Sequence, residues 1–201
     1  MDFYCIHLPE QAERLERLTQ HLEETGVEVE LNIIDGVCEE RGFLGCAKSH
    51  QKIVDYAKRT DMEQITVIED DIRFSPNFEN IYSRAYVDLP DDWDIFVGGV
   101  SWVGGVKTRI SNNLVKLEDF SATHFMVYRR KSYKWVLSWN IHKREQHIDR
   151  YLGKLSKDGI LNIYCATPFL ATQFNGYSKI RNSYTDDDGH FNTAQQRINE
   201  V

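Results

Sequence analysis

Apolar positions along the chain follow two spacings, and their order predicts the fold. Residues 3–8 form a nearly unbroken apolar run, the pattern of a strand covered on both faces. After Pro9 and Glu10, Ala12, Leu15, Leu18 and Leu22 recur at intervals of three and four, with Glu13, Arg14, Glu16, Arg17, Glu23 and Glu24 on the other face. That periodicity predicts an amphipathic helix closed by Gly26, whose missing Cβ suits the left-handed turn at a helix C-terminus. Residues 27–34 alternate and then turn apolar before Asp35 and Gly36. Strand, helix and strand in succession predict a parallel sheet.

Gly42 to Gly45 breaks the chain before a helix expected over about residues 46–59, with Ile53, Val54 and Ala57 on its buried face. Residues 65–68, Ile-Thr-Val-Ile, read as a core strand that runs directly into Glu69, Asp70 and Asp71. Ser75 and Pro76 open a short helix through Phe78, Ile81 and Tyr82. Residues 93–97 predict a strand ending in Gly98 and Gly99. Residues 101–113 are polar and glycine-rich, which predicts a mobile loop over the site, with Trp102 in it. Strands are expected over 114–117, 122–128 and 160–164, and helices over 131–139 and 149–155. Beyond Gln173 the composition turns polar, with Asp186, Asp187 and Asp188 together, and a loosely packed C-terminal arm is expected from about residue 182.

The alternation of strands and helices places the chain in the α/β class, with a mostly parallel central sheet flanked by helices. A length of 201 residues is most simply one domain spanning 1–201, large enough to bury a proper core. The net charge of −7 and the lack of a long Lys/Arg cluster argue against a general nucleic-acid or membrane-surface binder. An anionic substrate would then need a metal or a few placed cations. Cys5, Cys38, Cys46 and Cys165 are scattered, without the spacing of a disulfide framework or a zinc site, and read as reduced thiols. With no leader-like start and no apolar run of spanning length, the expectation is a soluble cytoplasmic protein.

The acidic triple is the strongest chemical signal. A core strand that delivers three adjacent carboxylates to its C-terminal end places them where ligands bind in open α/β sheets. A hard divalent cation, Mg²⁺ or Mn²⁺, would relieve their repulsion, since it takes carboxylate oxygens together with substrate phosphates. Side chains alternate along an extended segment, so Glu69 and Asp71 face one ligand together and Asp70 faces away. A solvated acidic turn before Ser75 and Pro76 is the plain alternative.

Several stretches together resemble glycosyltransferase family 25, the group that includes lipopolysaccharide-type and collagen galactosyltransferases. They are Ile6, His7, Leu8 and Pro9 with Glu13 and Arg14; Gly45, Cys46, Ala47, Lys48, Ser49 and His50; and Val67 to Ile72 with Phe74. Leu89, Pro90 and Asp92 to Ile95 follow, then Ile148 and Asp149, Pro168 to Leu170 with Gln173, and Ser178 with Ile180.

The resemblance implies one GT-A-type, Rossmann-like domain. It also implies metal-dependent, inverting transfer of a hexose from a nucleotide-sugar, most simply a UDP-sugar, to a hydroxyl of a glycan or glycoprotein. Glu69 and Asp71 would hold Mn²⁺ or Mg²⁺, with Asp70 beside the donor, and Asp149 would be the general base that an inverting enzyme needs. His7, Leu8, Pro9, Asp35 and Gly36 would line the base pocket, with Arg14 at ribose or phosphate. Lys48, Ser49 and His50 would begin a helix whose N-terminus favours anions, and His124, Gln173 and Ser178 would touch donor or acceptor. Trp102 is a candidate for stacking on an acceptor sugar, and His190 for a late metal ligand. Asp149 is open to a helix-capping role, Arg14 to a solvated salt-bridging one and His50 to a structural one. Two rival functions stay in view: a catalytically inactive sugar- or nucleotide-binding module of the same fold, and a nucleotidyltransferase or nucleotide-sugar hydrolase. Pro9, Glu10, Gln11 and Ala12 stand where a nucleotidyltransferase would carry a glycine-rich basic loop.

Overall fold

The computed structural model of the protein describes residues 1–140, 147–178 and 183–201, with the backbone alone at 106–107 and 177–178. At its centre lies an eight-stranded sheet. β1 (Asp2–His7) pairs in parallel with both β2 (Glu30–Asp35) and β3 (Gln64–Glu69). The crossovers are α1 (Ala12–Thr25) and α2 (Gly42–Arg59). β4 (Ile72–Phe74) leaves the sheet after the acidic turn, followed by α3 (Phe78–Val87) and β5 (Ile95–Val97). A long hairpin, β6 (Trp102–Ser111) with β7 (Leu114–Ser121), forms the far edge. β8 (Phe125–Arg129) lies between β3 and β5 and runs against both, while β9 (Ile163–Ala166) joins β5 in parallel. Only β7 and β8 oppose the rest, so six of the eight strands share one direction, as the α/β pattern predicts.

The strands alternate between two apolar layers. Ile65 and Val67 of β3 pack with Ile53, Val54 and Ala57 of α2, while Ile68 turns to Phe3, Phe74 and Phe78 on the opposite face. The first layer is completed by α4 (Arg130–Ser138) and α5 (Ile148–Lys157), the second by α1 and α3. Each such side chain, taken fully out of water, contributes about 1.5–3 kcal/mol. Among the described residues no helix is long and apolar enough to cross a membrane.

Three expectations are corrected. Residues 101–113 are an edge hairpin and not a mobile loop: β6 pairs with β7 from Trp102↔Ser121 to Ser111↔Leu114, with irregular register between Gly104 and Lys107. Gly105, at φ +66°, takes the left-handed turn that this irregularity needs, so the glycines mark a bulge. α2 begins at Gly42, so Lys48, Ser49 and His50 lie well inside the helix and not at its N-terminus. Gly45 is tolerated there because a Cβ would come 2.4 Å from the Val37 carbonyl oxygen, a close approach that only glycine permits.

The segment from about residue 182, expected as a loose arm, folds as β12 (Ser183–Thr185), paired with β11 (Gly176–Ser178), and α6 (Asp187–Asn199). Phe191, Ala194 and Ile198 of α6 are buried in the first layer, and β10 (Ala171–Gln173) runs beside β4 in a separate ribbon. Arg109 on β6 donates to the Ile198 and Val201 carbonyl oxygens, a cation at the negative end of the helix. The packing of α6 predicts that Phe191→Ala lowers unfolding free energy by about 3–5 kcal/mol in urea titration. A loose arm would give a change within roughly 0.5 kcal/mol.

Candidate active site

The acidic triple sits at the buried end of β3, and each carboxylate meets a different set of partners. Asp70 accepts from His7 Nδ1 at 2.8 Å and from Arg14 Nη1 at 3.1 Å. Arg14 Nη1 also reaches Asp71 Oδ2 at 3.1 Å, and Gln173 Nε2 donates to Asp71 Oδ1 at 3.0 Å. Arg14 therefore projects from α1 into the triple and bridges two of its members, in place of the solvated role its helix pattern allowed. Even so, burial and then the charge of Glu69 push the Asp71 carboxyl up to about 7, against the pull of Arg14.

Glu69 faces α2 and the start of β8. Thr123 Oγ1 donates to its Oε1, and Cys46 Sγ lies 3.8 Å and His50 Nε2 3.6 Å from the same oxygen. Cys46 and His50 are four residues apart and share one face of α2. His50 is fully buried, and its Nδ1 is 3.0 Å from the Tyr128 hydroxyl.

Two cavities, about 300 Å³ and about 120 Å³, meet at this wall, and Arg14, Cys46, Glu69, Asp71 and Gln173 line both. The smaller is closed by Leu8, Val37 and Gly45 at the ends of β1 and α2. The larger is closed by Phe43, Ala122, Thr123 and Asp149. Asp149 lies in the first turn of α5, 8% exposed. Its Oδ1 accepts from the Arg150 N–H at 2.7 Å, a free donor of that turn, but the N-cap position is held by His147, with no side-chain cap bond, and not by Asp149. Its Oδ2 crosses to β7–β8 and accepts from the Ala122 N–H at 3.0 Å. Ala122 holds φ +124°, an uncommon conformation for a side chain with a Cβ, and it aims that N–H into the site. Burial raises the Asp149 pKa against these two backbone donors.

The other anticipated residues divide by what they touch. Gly36 donates its N–H to the His7 carbonyl at 2.7 Å, tying the ends of β1 and β2 together. Ser49 donates to Gly45 O at 2.7 Å and accepts from Val37 N–H at 2.8 Å, which holds the wall of the smaller cavity. Pro9, Asp35 and Lys48 are exposed; Lys48 pairs with Glu39, and the Asp35 carbonyl accepts from Lys52 at 2.9 Å. His124 is buried, with Nε2 3.1 Å from the Ala171 carbonyl. Trp102 lies on β6 with the Arg150 guanidinium 4.2 Å from its ring centroid, and His190 lines a separate groove with it. The Ser178 side chain and Ile180 lie outside the described residues. Cys46, Ala122, Thr123 and the stacked Phe43–His147 pair, 4.5 Å apart, were not anticipated as site residues. Only the four-residue spacing of Cys46 and His50 was visible in sequence.

Residues 40–149 match the family model described as glycosyltransferase family 25 (LPS biosynthesis protein). A glycosyltransferase 25 family member from Anopheles gambiae is 27% identical over 127 residues, covering 48% of this chain and only 21% of that protein. In fold, the chain is similar to a glycosyltransferase involved in glycosylation of the major capsid of PBCV-1, at TM-score 0.54 and 12% identity over 94% of this chain and 97% of that one. A mutant Drosophila β-1,4-galactosyltransferase 7 in complex with manganese, UDP-Gal and xylobiose aligns at TM-score 0.47 and 12% identity, over 92% of this chain and 69% of that one. The architecture is that of GT-A-type glycosyltransferases.

Removing the shared cation should expose the cost of this cluster. Arg14→Met is expected to destabilise the fold by roughly 2–3 kcal/mol, the lower side of breaking a buried pair because the guanidinium keeps 19% exposure. The loss should shrink in chemical denaturation as pH falls below 7, where the Asp71 carboxyl takes up a proton and no longer needs the guanidinium.

Proposed function

Because the chain belongs to glycosyltransferase family 25, we propose that it is a metal-dependent, inverting glycosyltransferase that moves a hexose from a UDP-sugar to a hydroxyl of a glycan or glycoprotein. One observation carries this reading: Glu69 and Asp71 line both of two adjoining cavities, with Asp70 on the smaller, and Asp149 lines the larger one. Such a wall suits a donor whose nucleotide enters on one side and whose sugar emerges on the other, facing the acceptor.

The residues present fit a divalent cation. Glu69 and Asp71 supply hard oxygen donors on both cavities, and Asp71 is pushed up by burial first and then by the adjacent Glu69 charge, against the pull of Arg14. When bound there, Mn²⁺ or Mg²⁺ would supply Lewis-acid stabilisation of the charge that grows on the leaving diphosphate. Arg14 adds a second positive group at the same wall, and Leu8 and Val37 bound the nucleotide side, with Gln173 fixing Asp71. His7 and Ser49 act through position, the first by holding Asp70 and the second by holding the loop at Val37.

Asp149 is the base. Its carboxylate takes the proton of the acceptor hydroxyl as that oxygen forms its bond to the anomeric carbon, and the bond to the diphosphate breaks on the opposite face. Burial raises its proton affinity, which improves a carboxylate for this task. The Ala122 and Arg150 N–H groups orient it and leave further lone pairs for the hydroxyl.

A thermal-shift screen of UDP, GDP and CMP, each with Mn²⁺ and with EDTA, tests the donor. The expected result is a rise in Tm for UDP only with Mn²⁺, abolished in Asp71→Asn. A shift of equal size in EDTA would overturn the metal assignment. The Mn²⁺-dependent rise should also grow as pH increases through about 7, because the cation needs Asp71 ionised. Asp149→Asn should keep the UDP shift and lose at least about a hundredfold in release of UDP from a UDP-hexose with a panel of sugar acceptors. Transfer at the wild-type rate would assign the base elsewhere, and no nucleotide shift at all would favour the inactive binding module.

A further inference from the structure

Cys46 and His50 carry chemistry that the transfer reaction does not use, and both face Glu69. Their ligand atoms all lie within 4.8 Å of one another. Cys46 Sγ and Glu69 Oε1 are 3.8 Å apart, and His50 Nε2 and the same oxygen are 3.6 Å apart. In a tetrahedral zinc site, bond lengths of about 2.3 Å to sulfur and about 2.0–2.1 Å to nitrogen and oxygen put ligand atoms about 3.3–3.6 Å from each other. The two separations from the Glu69 oxygen are thus close to those zinc would impose, and the Cys46–His50 pair lies within 4.8 Å.

His50 is the second observation. Its Nε2 is fully buried and has no hydrogen-bond partner, although it points at a carboxylate oxygen. If Nδ1 carries the proton and donates to Tyr128, the Nε2 lone pair faces the Glu69 oxygen with nothing between them. If Nε2 carries it, 3.6 Å is too long for a hydrogen bond. A cation between the two atoms takes up the Nε2 lone pair of the first state and leaves Tyr128 as the outer partner that metal-bound histidines usually have; from the second state the Nε2 proton must first pass to solvent. Thr123 plays the same supporting part for Glu69.

We propose that Cys46, His50 and Glu69 form a site for one borderline-soft divalent cation, zinc by its donor set, which competes through Glu69 with the hard cation of the transfer reaction. Sulfur and imidazole select zinc, whereas Mg²⁺ and Mn²⁺ prefer the all-oxygen pair of Glu69 and Asp71. On binding, the Cys46 thiol releases its proton to solvent as the sulfur–zinc bond forms, so thiolate and carboxylate together balance the double charge. Cys46 and Glu69 line both cavities, which leaves the fourth position open to water. The competition rests on the transferase reading; the site itself does not.

Cobalt(II) is the probe. Titrated into the reduced, metal-stripped protein, it should give a near-ultraviolet thiolate-to-cobalt band that saturates at one equivalent and is displaced by zinc. Cys46→Ser should abolish the band and Cys38→Ser should keep it. No band, or loss in Cys38→Ser in place of Cys46→Ser, would overturn the site. Zinc-edge X-ray absorption of the wild-type protein needs no variant: one sulfur in the first shell supports the assignment, and nitrogen and oxygen alone refute it. One equivalent of zinc should weaken Mn²⁺-dependent UDP binding at least tenfold, and unchanged binding with zinc in place would overturn the shared use of Glu69. A protein that gives the cobalt band but never binds UDP with manganese would refute the transferase reading and leave the zinc site standing.

Discussion

Three adjacent carboxylates at the buried end of a core strand impose the central constraint on this protein. Removing them from water raises the cost of their charge, and their mutual repulsion adds to it. The chain answers with one guanidinium from α1, one imidazole from the end of β1, an amide from β10 and a hydroxyl beside β8. Each comes from a different element, so the cluster holds β1, α1, β3, β8 and β10 in mutual register. Burial and the Glu69 charge still hold the Asp71 carboxyl up to about 7 against the pull of Arg14.

Position does the rest. β3 is central, with β1 on one side and β8 on the other, so its C-terminal end opens between the start of α2 and the β7–β8 connection. That placement divides the surface depression into two chambers with the acids between them. Asp149 reaches the second chamber because α5 packs on β7, and the strained Ala122 hands it a backbone donor. That uncommon φ turns the Ala122 N–H toward the Asp149 carboxylate.

One carboxylate, Glu69, stands at the junction of two donor sets. Toward Asp71 it offers oxygen alone; toward α2 it joins sulfur and imidazole. Under the proposed function, a cation at that wall would be chosen by the donor set that completes it.

Much of this was legible in the order of residues. The apolar run into Glu69, Asp70 and Asp71, the helical spacing of Leu15, Leu18 and Leu22, and the Ile148–Asp149 pair at a helix start are local patterns, and local patterns report local structure. The βαβ start followed from them because a parallel pair needs a crossover. What tertiary structure alone decided were the non-local facts. Glycines at 104 and 105 read as a loop until their strand paired with β7, and the polar stretch near residue 190 read as loose until Phe191 and Ile198 found the core. Sequence placed Arg14 on a charged helix face, but only the packing of α1 against the sheet aimed it at Asp70 and Asp71. Ala122 and Thr123 gave no signal at all, since their roles come from a strand order that brings β8 beside β3. Periodicity is set by neighbours in sequence and partnership by neighbours in space. The chain by itself therefore determined its βαβ start and its acidic centre, and only the fold decided the edge hairpin, the docked C-terminal helix and what that centre touches.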